Sequence, residues 1–155
     1  LDVLTKKGYP MAISQYMETK VITCPPETTI SESAKLMKSN NVGTIVVQKN
    51  GKPEGILTDR DLAIRALASG KNCETTQVRE IMTRPVVTAK AQEGVYEVIS
   101  KMKKGKVRRM PVVNSSGKIV GIISFGDIVG LLSDEFSHLS QAVLPHKTGS
   151  AKKAA

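Results

Sequence analysis

Gly55-Ile56-Leu57-Thr58-Asp59-Arg60-Asp61 and Gly121-Ile122-Ile123-Ser124-Phe125-Gly126-Asp127 are two copies of one pattern: glycine, two apolar residues, a hydroxyl, two variable residues and an aspartate. A short apolar run ending on Thr-x-x-Asp or Ser-x-x-Asp reads as a strand that turns directly into a helix. The hydroxyl accepts an orphan backbone N–H of the first helical turn, and the acid sits at the positive end of the helix dipole.

The likeness extends outward from these corners. Met17 to Thr23 and Met82 to Thr88 share Met, Val and Thr at matched places 65 residues apart, and at the same offset Ile30 matches Val95, Met37 matches Met102 and Val42 matches Val107. One added residue in the second copy then aligns Asn50-Gly51 with Ser116-Gly117. The chain is a tandem of one supersecondary unit.

Each unit reads as β-α-β-β-α. A first short strand is predicted at Val21 to Thr23 and at Val86 to Thr88. A helix follows, with Thr29-x-x-Glu32 as capping box and Ile30, Ala34 and Met37 on one face; Val95, Ile99 and Met102 repeat that face. Strands at Thr44 to Val47 and Met110 to Val113 lead through turns at Asn50-Gly51 and Ser115-Ser116-Gly117 to strands opening at Gly55 and about Ile119. The second helices run from Asp61 to about Ser69, with Gly70 as stop, and from Asp127 to about Ser133. Polar residues Gly70 to Gln77 form the connection, and Val78 to Met82 a helical turn opening the second copy. One such unit is too small to hide its apolar surface, so the expected fold is α/β, an α+β sandwich of two repeats packed with pseudo-twofold symmetry. The expected divisions are a leader or disordered stretch 1–13, the repeats 14–72 and 73–136, and a flexible basic tail 137–155.

Composition narrows the function. The 155 residues are 40% hydrophobic and 24% charged with no tryptophan, so the core is aliphatic. No apolar run reaches the length of a membrane span and no secretory signal opens the chain, which predicts a cytoplasmic protein without membrane contact. Cys24 and Cys73 stand far apart with no metal-ligand spacing, so neither a disulfide framework nor a metal site is expected. His138 and His146 lie near or in the tail, and no nucleophile–base set is spaced for catalysis. A net charge of +9 points toward anionic partners, nucleotides or nucleic acid, although aromatic residues for base stacking are scarce.

The twin corners are the candidate site. Pseudo-twofold pairing would bring both to one central cleft, where backbone donors and a hydroxyl suit phosphate and an aspartate suits the two hydroxyls of a ribose. Arg108 and Arg109, which close a run of five basic residues just before a strand, are placed to fork onto phosphate oxygens. Their counterparts are Gly43 and Thr44, so the two halves of the cleft should be unequal.

Between about Ser14 and Ser133 both repeats resemble cystathionine-β-synthase-type (CBS) domains, which occur in pairs known as Bateman modules. The resemblance rests on residues 55–61, Val107 to Val113 and residues 121–127, and is close to stand-alone CBS pairs. It implies a non-catalytic regulatory module with an adenosine-ligand pocket in each half and no catalytic cofactor or metal. Carried over by position, one pocket would use Ile22, Thr23, Thr44, Ile45, Thr58 and Asp61. The other would use Val87, Thr88, Met110, Pro111, Ser124 and Asp127, with Arg108 or Arg109 on phosphate. AMP, ADP or ATP is the implied ligand, with NAD(H) or S-adenosylmethionine sharing the same adenosine portion; nucleic-acid binding is the alternative function. The resemblance also implies a homodimer through the helices and a protein partner of unstated identity. Val46, where the family has proline, and Phe125-Gly126, where it has more polar residues, depart from the pattern.

Overall fold

The computed structural model describes residues 12–143. Its regular elements are β1 (Thr23–Cys24), α1 (Ile30–Asn40), β2 (Thr44–Lys49), β3 (Lys52–Thr58), α2 (Asp59–Asp61, continued by a π-helical stretch Leu62–Leu67), β4 (Ala89–Lys90), α3 (Val95–Gly105), β5 (Arg109–Val113), β6 (Ile119–Ser124) and α4 (Phe125–Val143). The two expected repeats are present, each with a three-stranded sheet in the order β1-β2-β3 or β4-β5-β6. In both, the first strand pairs in parallel with the second and the second antiparallel with the third.

Local chemistry accounts for the boundaries. Thr29 Oγ1 accepts from Glu32 N while the Glu32 carboxylate accepts from Thr29 N, the reciprocal box that starts α1. Asn41 and Lys106 end α1 and α3 in the left-handed region, at φ 51° and 52°. Asn50 and Gly51 both have positive φ, the two-residue turn that suits a twisted hairpin, so β3 opens at Lys52, three residues before the predicted Gly55. The ladders of β1 and β4 lie one to three residues later than predicted, and Val21, Ile22, Val86 and Val87 ahead of them line cavities.

The largest departure is α4. It was expected to stop near Ser133 before a flexible tail from 137, yet it continues to Val143. The polar residues Ser133, Asp134 and Glu135 look like a stop, but the apolar positions Leu132, Phe136, Leu139 and Val143 keep helical spacing straight through them. The rest of the predicted tail and nearly all of the predicted leader lie outside the described residues.

The cores are exchanged between repeats. Val78, Ile81 and Met82, which open the second repeat, are buried with Ile45, Val47 and Leu57 in the core of the first. In the mirror arrangement Ile13, Tyr16 and Met17 pack into the core of the second, among Met110, Val112 and Ile123. Backbone bridges fasten each segment: Glu18 and Ile122 exchange two bonds of 2.9 Å, and Thr83 and Ile56 do the same at 2.8 and 3.1 Å. Gly55 and Gly121 are needed where the methionines cross. A Cβ on Gly121 would stand 2.6 Å from Met17 Sδ, and one on Gly55 would collide with Met82.

Candidate functional site

The corners form as the sequence predicts. Thr58 N and Oγ1 both donate to Asp61 Oδ2, at 2.9 and 2.7 Å, and Asp61 N returns a bond to Thr58 Oγ1 at 3.2 Å. Ser124 and Asp127 repeat the set at 2.7, 2.7 and 3.2 Å. Capping occupies one oxygen of each carboxylate and leaves the other. Here the repeats diverge. Asp61 is 9% exposed and its Oδ1 pairs with Arg65 Nε at 3.3 Å, whereas Asp127 is exposed and, among the described residues, its Oδ1 has no partner. The position matching Arg65 is Leu131, a core residue.

A void lies beside each corner. Cavity A, about 270 Å³, is bounded by Glu18, Lys20, Ile22 and Thr44 on one side and by Ser124 and Asp127 on the other. Cavity B, about 360 Å³, is bounded by Thr58, Asp61 and Arg65 and by Val87, Lys106 and Arg108. Each of these residues except Arg65 has its positional counterpart in the other cavity, so the two are related by the internal repeat. Both approach or reach the size range of small-molecule sites.

This arrangement corrects the predicted grouping. Thr58 and Asp61 were assigned to one pocket with Ile22 and Thr44, and Ser124 and Asp127 to another with Val87. The structure instead sets each corner against the opening segment of the opposite repeat. The cause is the exchange of Ile13–Met17 and Val78–Met82, which carries the following residues across the pseudo-twofold axis.

Other predicted residues fall elsewhere. Ile45 and Met110 are fully buried and Pro111 is buried, their side chains belonging to the interior. Thr23 faces a separate cavity near the hairpin turns, with Thr19, Gln48 and Val120. The Thr88 carbonyl accepts from Lys101 Nζ at 3.2 Å. Arg108 borders cavity B and not cavity A, while Arg109 borders both and donates from Nη1 to Thr44 Oγ1 at 3.1 Å. Those two residues are 65 apart and positional equivalents, so this bond crosses the pseudo-twofold axis.

Sequence reasoning missed Glu18, Lys20, Arg60, Arg65 and Lys106. Arg65 had a signal, four residues after Asp61 on a helix. Glu18 and Lys20 had none, because only the exchange brings them to the corner of the other repeat. Among the described residues there is no cluster of groups able to hold a metal ion and no helix long and apolar enough to cross a membrane.

Comparison with known proteins matches the CBS domain to residues 13–67 and 78–134. The CBS domain-containing protein YhcV of Bacillus subtilis is 34% identical over 88% of this chain and 96% of its own length. An uncharacterized protein of Methanopyrus kandleri is also 34% identical, over 77% of this chain, and the match spans only 61% of that protein. Among solved structures, the CBS domain pair of protein MJ0100, in complex with 5′-methylthioadenosine and S-adenosyl-L-methionine, superposes with a TM-score of 0.72 at 31% identity, covering 81% of this chain and 98% of that one.

Proposed function

Because the chain belongs to the CBS domain family, we propose that it is a non-catalytic regulatory module that binds an adenosine-containing nucleotide, AMP, ADP or ATP, in the cavities between its repeats. The observation that carries this reading is the pair of equivalent cavities, each joining a hydroxyl-x-x-aspartate corner of one repeat to the opening segment of the other. Asp127 Oδ1 is open to a ribose diol in cavity A, and Arg108 to phosphate in cavity B. The ligands held by the MJ0100 pair support adenosine as the shared portion.

A ligand in either cavity touches both repeats, so occupancy biases how they are held together, provided it binds one arrangement more tightly than another. We read the responding surface as α4. Phe125, Val129, Leu132, Phe136, Leu139 and Val143 are exposed and alternate at spacings of four and three, the seam of a two-stranded coiled coil. The last residue that α4 buries in its own repeat is Leu131, and an isolated helical segment as short as the remainder does not persist in water. A second copy meeting the same stripe makes a closed homodimer. The free thiols Cys24 and Cys73 suit a reducing, cytoplasmic setting.

Calorimetry of the purified chain against adenosine, AMP, ADP, ATP, NAD and S-adenosylmethionine, with GTP as control, tests the reading. Saturable binding of adenosine compounds and not of GTP is expected. Failure of all six would end it.

A further inference from the structure

The geometry points to cavity B as a polyphosphate site, selective for a nucleoside di- or triphosphate over the monophosphate and the nucleoside, with cavity A excluded from that role. For the nucleoside portion this rests on the adenosine reading above; for the anion it stands on the charges alone.

Cavity B is bounded by five cationic side chains, Arg60, Arg65, Lys106, Arg108 and Arg109, against two carboxylates, Asp59 and Asp61. Cavity A holds two of each sign, Lys20 and Arg109 with Glu18 and Asp127. The difference is built position by position. Where cavity B has Arg60, Arg65, Lys106, Arg108 and Arg109, the matching residues of the other half are Gly126, Leu131, Asn41, Gly43 and Thr44. Four of these places add a cation to cavity B alone, since Arg109 borders both, and two places run the other way, Lys20 against Pro85 and Asp59 against Phe125. A solvated surface run accounts for Lys106 and Arg108 together; it does not account for Arg60 and Arg65, which come from a distant part of the chain to the same void.

The cations also divide by how they are held. Arg65 is tied to Asp61 at 3.3 Å, to the Ile81 carbonyl at 2.9 Å and to Thr83 Oγ1 at 3.1 Å, and Arg109 is tied to Thr44. The side chains of Arg60, Lys106 and Arg108 make no ion pair or hydrogen bond among the described residues. Three uncommitted cations around one void repel each other, and one phosphate, with at most two negative charges, leaves their charge unbalanced. A chain of two or three phosphates can balance it, with the guanidinium forks taking paired oxygens. Asp61 has its remaining oxygen committed to Arg65, so this corner does not compete with the anion, whereas open Asp127 would repel one in cavity A.

The test is a calorimetric series of adenosine, AMP, ADP, ATP and inorganic tripolyphosphate on the full chain at two ionic strengths, repeated with Arg60→Ala and Arg108→Ala. Both side chains are exposed and outside the caps, and unchanged thermal midpoints verify folding. Affinity should rise at each added phosphate, by about tenfold or more from AMP to ATP, and fall with salt. Each variant should lose about tenfold for ATP and tripolyphosphate and stay within about twofold for adenosine. Equal binding of adenosine and ATP, or ATP affinity indifferent to both replacements, overturns the polyphosphate assignment and leaves the adenosine reading in place. Tripolyphosphate binding that needs Arg60 and Arg108, in a protein that ignores adenosine compounds, upholds the anion cavity and removes the adenosine reading.

Discussion

Replacing each corner aspartate by asparagine should separate two jobs that the sequence pattern makes look alike. Asp61 is 9% exposed, accepts two bonds from Thr58 and pairs with Arg65 at 3.3 Å. An asparagine there keeps one acceptor for the cap, but without the charge it weakens the bond to Arg65 and can turn an amide donor toward it. The loss is about 1–3 kcal/mol of stability. Asp127 is exposed and makes only the cap, whose acceptor asparagine supplies, so Asp127→Asn should cost about 0.5 kcal/mol or less. Ligand binding should reverse the order. Losing a charge-assisted bond from a ribose hydroxyl to Asp127 costs about 1.5–3 kcal/mol, roughly ten- to a hundredfold in adenosine affinity. Asp61→Asn, whose free oxygen is already taken, should move adenosine affinity much less. Guanidinium unfolding gives the first quantity and calorimetry the second. If Asp127→Asn destabilised as much as Asp61→Asn and left adenosine affinity untouched, the distinction drawn between the corners would be wrong.

Met82 is 6% exposed and lies against Gly55, with Cγ 2.9 Å and Cε 3.2 Å from where a Cβ would stand. Met82→Ala should therefore cost about 2–5 kcal/mol and Gly55→Ala about 1–3, while the double variant should fall short of their sum by at least about 1 kcal/mol, since the added methyl fills part of the hole; additivity within error in denaturant titrations would contradict this packing. Burial pushes the Cys24 thiol up, so a thiol reagent at neutral pH should label half-buried Cys73 readily and Cys24 only on unfolding. Leu132→Asp together with Phe136→Asp should leave the fold intact and halve the mass seen by light scattering, whereas an unchanged mass would exclude α4 as the dimer seam. The Thr29 bonds hold the Glu32 carboxyl below its ordinary range, so its contribution to stability is present above the unfolded value and lost as pH falls through the folded one; Glu32→Gln should flatten that acid limb of a pH–stability profile.

What the sequence disclosed was whatever short spacing encodes. Thr29-x-x-Glu32, Thr58-x-x-Asp61 and Ser124-x-x-Asp127 each fold on their own residues, so the strand-to-helix corners and the repeat itself could be read directly. Pocket membership was a different matter. It depends on which repeat receives Ile13–Met17 and Val78–Met82, and nothing local distinguishes a segment that packs at home from one that packs next door. The same limit hid Glu18 and Lys20. Arg65 could have been found from its helical spacing to Asp61. The end of α4 was misjudged for another reason: Ser133-Asp134-Glu135 carries the composition of a terminus, and only the apolar rhythm on either side shows that it does not end there.

The crossing of the two opening segments sets a timetable for a chain made from its N-terminus. The first repeat cannot close until Met82 has emerged, and Ile13 to Met17 must wait for β6 and for Leu131 of α4. At about 5–20 residues per second that wait lasts roughly 6 to 23 s, during which a cluster destined for burial stays bare to chaperones or to a neighbouring nascent chain. A cut between residues 72 and 73 would carry this to its limit, taking Val78, Ile81 and Met82 away from the unit they complete, so the natural quantum of this protein is the pair.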